Sequence, residues 1–323
     1  MKDGMSDAAS ESPKNESRSG SVGRAEYNPW SAILDPVTVH KTHRPDPGLH
    51  IVATPIGNLD DMTLRAARTL ATADLVLAED SRVTARLLDR LGVRPKMAVY
   101  NDHNAARMRS SVIADLEAGK SVALVSDAGT PLISDPGFKL VHAARQAGIT
   151  VYGLPGACAA ITALSIAGLP SDRFMFLGFL PPKQMARRTA LTEIRTIKAT
   201  LILYEGPSRL PALLADMAAV LGPRSGAVAR ELTKLHEEVR TGTLQELADF
   251  YADAGPPRGE IVVLAGPPAE TEIGAADIDQ LLADALQEHR LKTAVDQVAQ
   301  MTGAPRREVY QRALALKDAR ENS

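Results

Sequence analysis

From Leu49 onward, short β-branched apolar runs alternate with longer segments whose apolar residues recur at helical spacing, which predicts parallel strands joined by crossover helices. The first half holds five strand runs, at Leu49–Ala53, Leu75–Ala78, Met97–Tyr100, Ser121–Val125 and Thr150–Tyr152. Between them, Leu64, Ala67 and Leu70, then Val112, Ile113 and Leu116, then Leu140, Val141 and Ala144 each follow one helical face. A second unit starts near Ser171, with strand runs at Phe174–Phe179, Thr200–Tyr204, Ala227–Ala229 and Glu260–Ala265 and helical patterns over Ala186–Ile197, Leu210–Val220 and Leu244–Tyr251. Gly266, Pro267 and Pro268 break the pattern, and Ala275–His289, Thr293–Met301 and Arg306–Leu316 then read as a small helical appendage. The organisation expected is a tail over 1–48, an α/β domain over 49–170, a second α/β domain over 171–268 and helices over 269–323.

The tail is rich in Ser, Asp, Glu, Asn and Pro and lacks the apolar stretch of a secretory signal, so it reads as disordered. Ala157–Leu169 is the longest weakly polar stretch and falls short of the roughly 20 residues that span a bilayer, which predicts a soluble protein with no membrane role. A single cysteine, Cys158, excludes an internal disulfide framework and a multi-cysteine zinc site, and it fits the cytoplasm. The 323 residues carry 37 Lys and Arg against 39 Asp and Glu, a net charge of −2 that excludes a general polyanion coat. Local charge departs from this average. Lys183–Lys198 holds five cations, Lys183, Arg187, Arg188, Arg195 and Lys198, against Glu193 alone, whereas Ala275–His289 carries Asp277, Asp279, Asp284 and Glu288.

Ligands of an open parallel sheet bind beyond the carboxyl ends of the strands. Here those positions are polar and rich in Gly and Pro: Thr54-Pro55-Ile56-Gly57-Asn58, Glu79-Asp80-Ser81-Arg82, Asn101-Asp102-His103-Asn104, Ser126-Asp127-Ala128-Gly129-Thr130-Pro131 and Gly153-Leu154-Pro155-Gly156-Ala157. Glycine permits close backbone approach to a ligand, and proline pre-sets a loop. Each loop alone reads as an ordinary turn. Five converging on one edge read as a binding site. Neither a Walker phosphate loop nor a G-x-G-x-x-G run follows the first strand, which argues against kinase, P-loop and standard dinucleotide functions. Cys158 lacks a nucleophile-elbow context and reads as a small buried hydrophobe. The seven histidines show no metal-ligand spacing, so no metal is expected.

Longer motifs are more specific. Ile51-Val52-Ala53-Thr54-Pro55-Ile56-Gly57-Asn58-Leu59, Ala78-Glu79-Asp80-Ser81-Arg82, Asp102-His103-Asn104 and Ser126-Asp127-Ala128-Gly129-Thr130-Pro131-Leu132-Ile133-Ser134-Asp135-Pro136-Gly137 occur in order. Leu154-Pro155-Gly156, Gly168-Leu169-Pro170-Ser171-Asp172-Arg173-Phe174, Tyr204-Glu205 and Ala229-Arg230-Glu231-Leu232-Thr233-Lys234 follow them. Together they resemble the ribosomal RNA small subunit methyltransferase I family of the tetrapyrrole-methylase superfamily, over about Leu49 to Ala265. The resemblance implies two α/β domains with S-adenosylmethionine in a cleft between them, a homodimer, and 2′-O-ribose methylation of a cytidine in the decoding region of 16S rRNA within an assembled 30S particle. Two other readings remain on the same fold: a tetrapyrrole C-methyltransferase, and a non-catalytic RNA-binding or ribosome-assembly factor. The first loop and the Ser-Asp-Ala-Gly-Thr-Pro loop fit the RNA branch better than the tetrapyrrole branch.

By resemblance the cofactor loops are Pro55, Ile56, Gly57 and Asn58; Asp127, Ala128, Gly129, Thr130 and Pro131; and Leu154, Pro155, Gly156 and Ala157. A ribose hydroxyl is a weak nucleophile, so a proton acceptor within hydrogen-bond reach is expected. Glu79, Asp80, Asp102, His103, Glu231 and Lys234 are the candidates, with no single base assigned. Each also has a structural alternative: Glu79 and Asp80 as helix caps, Asp102 and His103 as loop formers, Glu231 and Lys234 as an internal ion pair. RNA phosphates are expected at Lys183, Arg187, Arg188, Arg195 and Lys198, for which a solvated amphipathic helix is the alternative. The last helices add Arg306, Arg307, Arg312, Lys317 and Arg320 around a helix-turn-helix-like pattern.

Overall fold

The computed structural model describes residues 44–269, 275–302 and 304–321. The chain divides into two compact units, the first running to Thr162 and including Glu231–Glu237, the second formed by Ala163–Arg230 and the residues from Glu238 onward. Nearly all of the expected tail lies outside the described residues.

In the first unit, strands β1 (Gly48–Val52), β2 (Leu75–Ala78), β3 (Met97–Val99), β4 (Ser121–Val125) and β5 (Val151–Leu154) form one sheet in the order β3-β2-β4-β1-β5. All its pairings are parallel. The continuous apolar runs arise because both faces are covered. Val76 and Ala78 pack with Leu70 and Leu88 on one side, while Leu75 and Leu77 pack with Val112, Leu116 and Leu140 on the other. Helices Leu64–Thr72 and Ser81–Leu91 build the first layer and Ala105–Glu117 and Phe138–Gln146 the second. Thr63 caps the first of these helices through Ala66 N, and Gly92, with φ 73°, closes Ser81–Leu91 in the left-handed conformation. Since all five strands point one way, their carboxyl ends share one edge. From β2 the chain runs outward to β3, and from β4 it runs the other way, past β1, to β5. The connections therefore diverge between the carboxyl ends of β2 and β4, where such a sheet opens a crevice.

In the second unit, β6 (Phe174–Phe179), β7 (Thr200–Glu205), β8 (Ser225–Arg230), β9 (Glu238–Thr243) and β10 (Ile261–Ala265) are ordered β6-β7-β10-β8-β9. Only β6 and β7 are parallel; β10 runs antiparallel to both β7 and β8, and β8 antiparallel to β9. This corrects the expectation of parallel strands throughout. A hairpin joins β8 to β9 directly, with no crossover helix, so that pair must be antiparallel. Strand β9, Glu-Val-Arg-Thr-Gly-Thr, has no apolar run and escaped the sequence pattern because it is a polar edge strand. Helices Leu210–Leu221 and Leu244–Ala254 bury Leu213, Leu214, Met217, Leu247 and Tyr251 against Leu201, Leu203, Val228 and Val263. Thr243 and Glu246 form a capping box at the start of the second helix. Helices Ala275–Glu288, Leu291–Thr302 and Arg306–Glu321 close around Ile278, Leu282, Val295, Val298, Val309 and Ala313. Among the described residues no helix is long and apolar enough to cross a membrane.

Candidate functional site

Three strand-end loops of the first unit are tied into one rim. Thr54 N donates to Gly129 O at 2.9 Å and Gly129 N to Thr54 O at 3.0 Å, a two-bond bridge between the loops after β1 and β4. Thr130 Oγ1 then donates to Ala157 O at 3.0 Å, which adds the loop after β5. Gly129 sits at φ 80°, and a Cβ there would lie 3.3 Å from Ile56 Cγ2, so both conformation and space favour glycine. Ile56, Gly129, Pro131 and Leu154 are buried supports, whereas Gly57, Asn58, Asp127, Ala128, Pro155 and Gly156 are exposed on the rim; Pro55, Thr130 and Ala157 are half-buried.

Beside this rim an open recess of about 480 Å³ lies at the divergence between β2 and β4, lined by Glu79, Asp80, Asp102, His103 and Asp127 among others. Its walls are stitched reciprocally. Asp127 Oδ1 accepts from Asp80 N at 3.0 Å, and Glu79 Oε2 accepts from Asp127 N at 3.4 Å. Burial pushes the Glu79 carboxyl above its ordinary pKa, and the charges of Asp135, Asp127 and Asp102 add to that rise. Asp135 is raised as well, first by burial and then by Asp127, against a hydrogen bond from Ser126 that lowers it.

Asp80 differs. Its carboxylate binds the Arg82 guanidinium at 2.6 Å and caps helix Ser81–Leu91 through Arg82 N at 2.8 Å, interactions that hold it at a pKa of about 2. It is a cap, held ionised. Asp102 and His103 are exposed at the tip of a loop fixed from behind, where Asn101 N donates to Asn104 Oδ1 at 3.0 Å and Asn104 Nδ2 to Val99 O at 2.9 Å. Glu231 and Lys234 pair at 2.8 Å within Glu231–Glu237, which belongs to the same unit and touches the first loop: Asn58 N donates to Thr233 Oγ1 at 3.2 Å. Thr54, Thr233 and Asp135 also shape this region, although sequence reasoning did not single them out; their one signal is that all three lie within the motifs quoted above. The four non-glycine residues at positive φ among those described, Leu132, Ser134, Glu231 and Thr233, fall in the loop after β4 and in Glu231–Glu237. Backbone strain of this kind concentrates at functional sites.

The basic segment separates into two kinds of residue. Arg187 does not face solvent. Its side chain is 5% exposed and pairs with Asp216, 1% exposed, at 2.5 Å. Its Nη1 donates to Pro182 O at 3.2 Å. This corrects its reading as a phosphate ligand, because a guanidinium bound on two edges inside the fold cannot reach RNA. Arg188 also binds Asp216, at 2.6 Å, yet stays about half exposed. Lys183, Arg195 and Lys198 are not buried in this way. In the last helices Arg306 pairs with Asp296 and Arg312 with Asp279, while Arg307 is exposed. Among the described residues no group of His, Cys, Asp and Glu could hold a metal ion.

Residues 48–248 match the family model of tetrapyrrole (corrin/porphyrin) methylases, and residues 272–317 match that of the RsmI C-terminal HTH domain. The chain is 50% identical over 274 residues to the ribosomal RNA small subunit methyltransferase I of Mesorhizobium japonicum, covering 84% of this chain and 93% of that protein. It is 47% identical over 272 residues to the protein of that name from Pseudomonas aeruginosa, covering 82% and 96%. Two solved structures share the fold alone: diphthine synthase, with TM-score 0.53, 16% identity and coverage of 68% of this chain and 89% of that one, and the methyltransferase CobJ, with 0.51, 20%, 69% and 95%. The chain belongs to the tetrapyrrole methylase family and, within it, to the ribosomal RNA small subunit methyltransferase I group.

Proposed function

We propose that this chain transfers a methyl group from S-adenosylmethionine to the ribose 2′-hydroxyl of a cytidine in the decoding region of 16S rRNA, acting on the 30S particle in the cytoplasm as a homodimer. Family membership carries the reaction class, the cofactor and the small-subunit rRNA substrate. The sugar hydroxyl, the cytidine, the particle and the dimer go further and rest on the motif resemblance. The observation that most supports the reading is the rim itself, in which Thr54, Gly129, Thr130 and Ala157 lock three loops beside a crevice at the sheet's divergence point.

The residues present fit the cofactor. Gly129 packs closely on Ile56, and Ala128, Pro155 and Gly156 are exposed as a rim that a flat, polar ligand can approach. When bound, the cofactor supplies a methyl group on a sulfonium, open to in-line attack by an oxygen. The chain's own work is to align that oxygen and receive its proton. Among the candidate acceptors Asp80 is committed to its cap, and Glu231 and Lys234 compensate each other. Glu79 has its proton affinity raised by its surroundings and is the acceptor this reading favours. Lys183, Arg188, Arg195 and Lys198 supply the positive face for phosphate.

Labelled S-adenosylmethionine incubated with small subunits from a strain lacking the activity tests the reading. It requires label in 16S rRNA. Transfer to a porphyrin precursor instead, with neither subunits nor naked rRNA labelled, would overturn it.

A further inference from the structure

Strands β8 and β9 are closed at their base by the register pair Arg230 and Glu238, which is also an ion pair at 2.9 Å. The seven residues that join them, Glu231–Glu237, belong to the first unit and hold a tight, strained shape. Glu231 has φ 50° and Thr233 φ 65°, conformations that side chains with a Cβ rarely adopt. Thr233 N donates to Glu237 Oε2 at 2.5 Å, Lys234 N to Glu231 O at 3.0 Å, and Glu237 N to Lys234 O at 3.1 Å, while Leu232 is buried as an anchor. The segment lies directly on the first loop. Thr233 Oγ1 takes the hydrogen bond of Asn58 N, and the aliphatic stem of Lys234 covers the space where Gly57 has no side chain. A Cβ on Gly57 would collide with Lys234 Cγ and would stand 2.9 Å from its Cε and 3.1 Å from Thr233 Oγ1.

We propose that Glu231–Glu237 is a clasp that sets the conformation of the first cofactor loop, with Lys234 and Thr233 as positioning residues for S-adenosylmethionine. The clasp rests on the proposed role of Pro55–Asn58 in holding that cofactor. It assigns Gly57 a reason: the glycine is needed because the lysine stem occupies the volume a methyl group would take. It assigns Lys234 a role other than proton acceptor, since Glu231 fixes its ammonium while its stem forms the packing surface. The strain at Glu231 and Thr233 is then the cost of holding this segment against the loop within the first unit.

The test is calorimetric titration of the full chain with S-adenosylhomocysteine, with thermal unfolding alongside. Gly57→Ala should weaken binding about tenfold, and the double variant Gly57→Ala with Lys234→Ala should recover the affinity of Lys234→Ala alone, because the obstructing stem is gone. Gly57→Ala with Lys234→Met, which keeps the stem and loses the charge, should stay impaired. Thr233→Val should raise the dissociation constant about threefold with an unchanged unfolding midpoint, and KM for the methyl donor should rise while KM for the RNA does not. Independent effects of Gly57→Ala and Lys234→Ala, or binding by Gly57→Ala equal to wild type, would overturn the clasp. If Gly57→Ala fails to fold, wild-type binding by both Thr233→Val and Lys234→Ala overturns it instead. Absence of binding by the wild-type chain would contradict the proposed function rather than the clasp.

Discussion

The hydroxyl of Thr130 donates to the carbonyl oxygen of Ala157 at 3.0 Å, joining the loop after β4 to the loop after β5. The Thr54–Gly129 bridge supplies the other half of the rim, and this bond ties the third loop into it. Thr130→Val keeps the shape and removes the donor. We expect a loss of stability of about 1 kcal/mol and a several-fold weaker affinity for S-adenosylhomocysteine, read by denaturant unfolding and calorimetry. Unchanged affinity would mean that the loop after β5 does not need this tie.

Asp216 is fully buried and takes hydrogen bonds from Gln184, Arg187 and Arg188. Removing the carboxylate strands a buried guanidinium, so Asp216→Ala should cost about 3–5 kcal/mol. Burial alone raises the proton affinity of Asp216, but the hydrogen bonds from Arg188, Arg187 and Gln184 outweigh it, and the carboxyl ends below its ordinary pKa. The unfolded chain therefore binds this proton more tightly. The stabilisation is complete above the ordinary Asp range and is lost as pH falls through the lowered value. The difference between wild-type and Asp216→Ala unfolding midpoints should accordingly shrink on acidification.

The sequence pattern resolved the parallel sheet well because its central strands are buried and read as apolar runs, as at Leu75–Ala78 and within Ser121–Val125. It missed β9, whose half-exposed polar residues carry no such signal, and it could not show that β8 and β9 meet in a hairpin. The loops that form the rim were legible as motifs. Their bonding was not, because Thr54 and Gly129 are far apart in sequence. Arg187 shows the limit most clearly: a run of cations looked solvent-facing, and only the distant Asp216 turns one of them inward. The contact of Glu231–Glu237 with the first loop was hidden for the same reason, since its partner is Asn58.

Glu79→Gln tests the proposed proton acceptor apart from stability. With its pKa raised, the folded state favours the protonated carboxyl, so ionisation costs stability as pH rises above the ordinary Glu value toward the raised one. Glu79→Gln removes that cost and still accepts a bond from Asp127 N. Its unfolding midpoint at pH 7 should equal or exceed wild type, with the difference vanishing in acid, while methyl transfer falls about 10²–10⁴-fold. Full activity in Glu79→Gln would remove it as the proton acceptor.

The cations Arg195 and Lys198 should act through phosphate. Arg195→Ala with Lys198→Ala should weaken binding to small subunits, and the slope of log affinity against log salt should fall by about one for each phosphate no longer neutralised, with cofactor affinity unchanged. An unaltered salt slope would place the RNA elsewhere, with Arg307 the next cation to test.

The chemical identity of the methylated nucleoside decides between the proposed reaction and its alternatives. After incubation of the full chain with S-adenosylmethionine and small subunits from a strain lacking the activity, the 16S rRNA is digested to nucleosides and analysed by mass spectrometry. The expected product is 2′-O-methylcytidine at a single decoding-region position. A methyl group on a base, on another nucleoside's ribose, or on no nucleoside at all would contradict it.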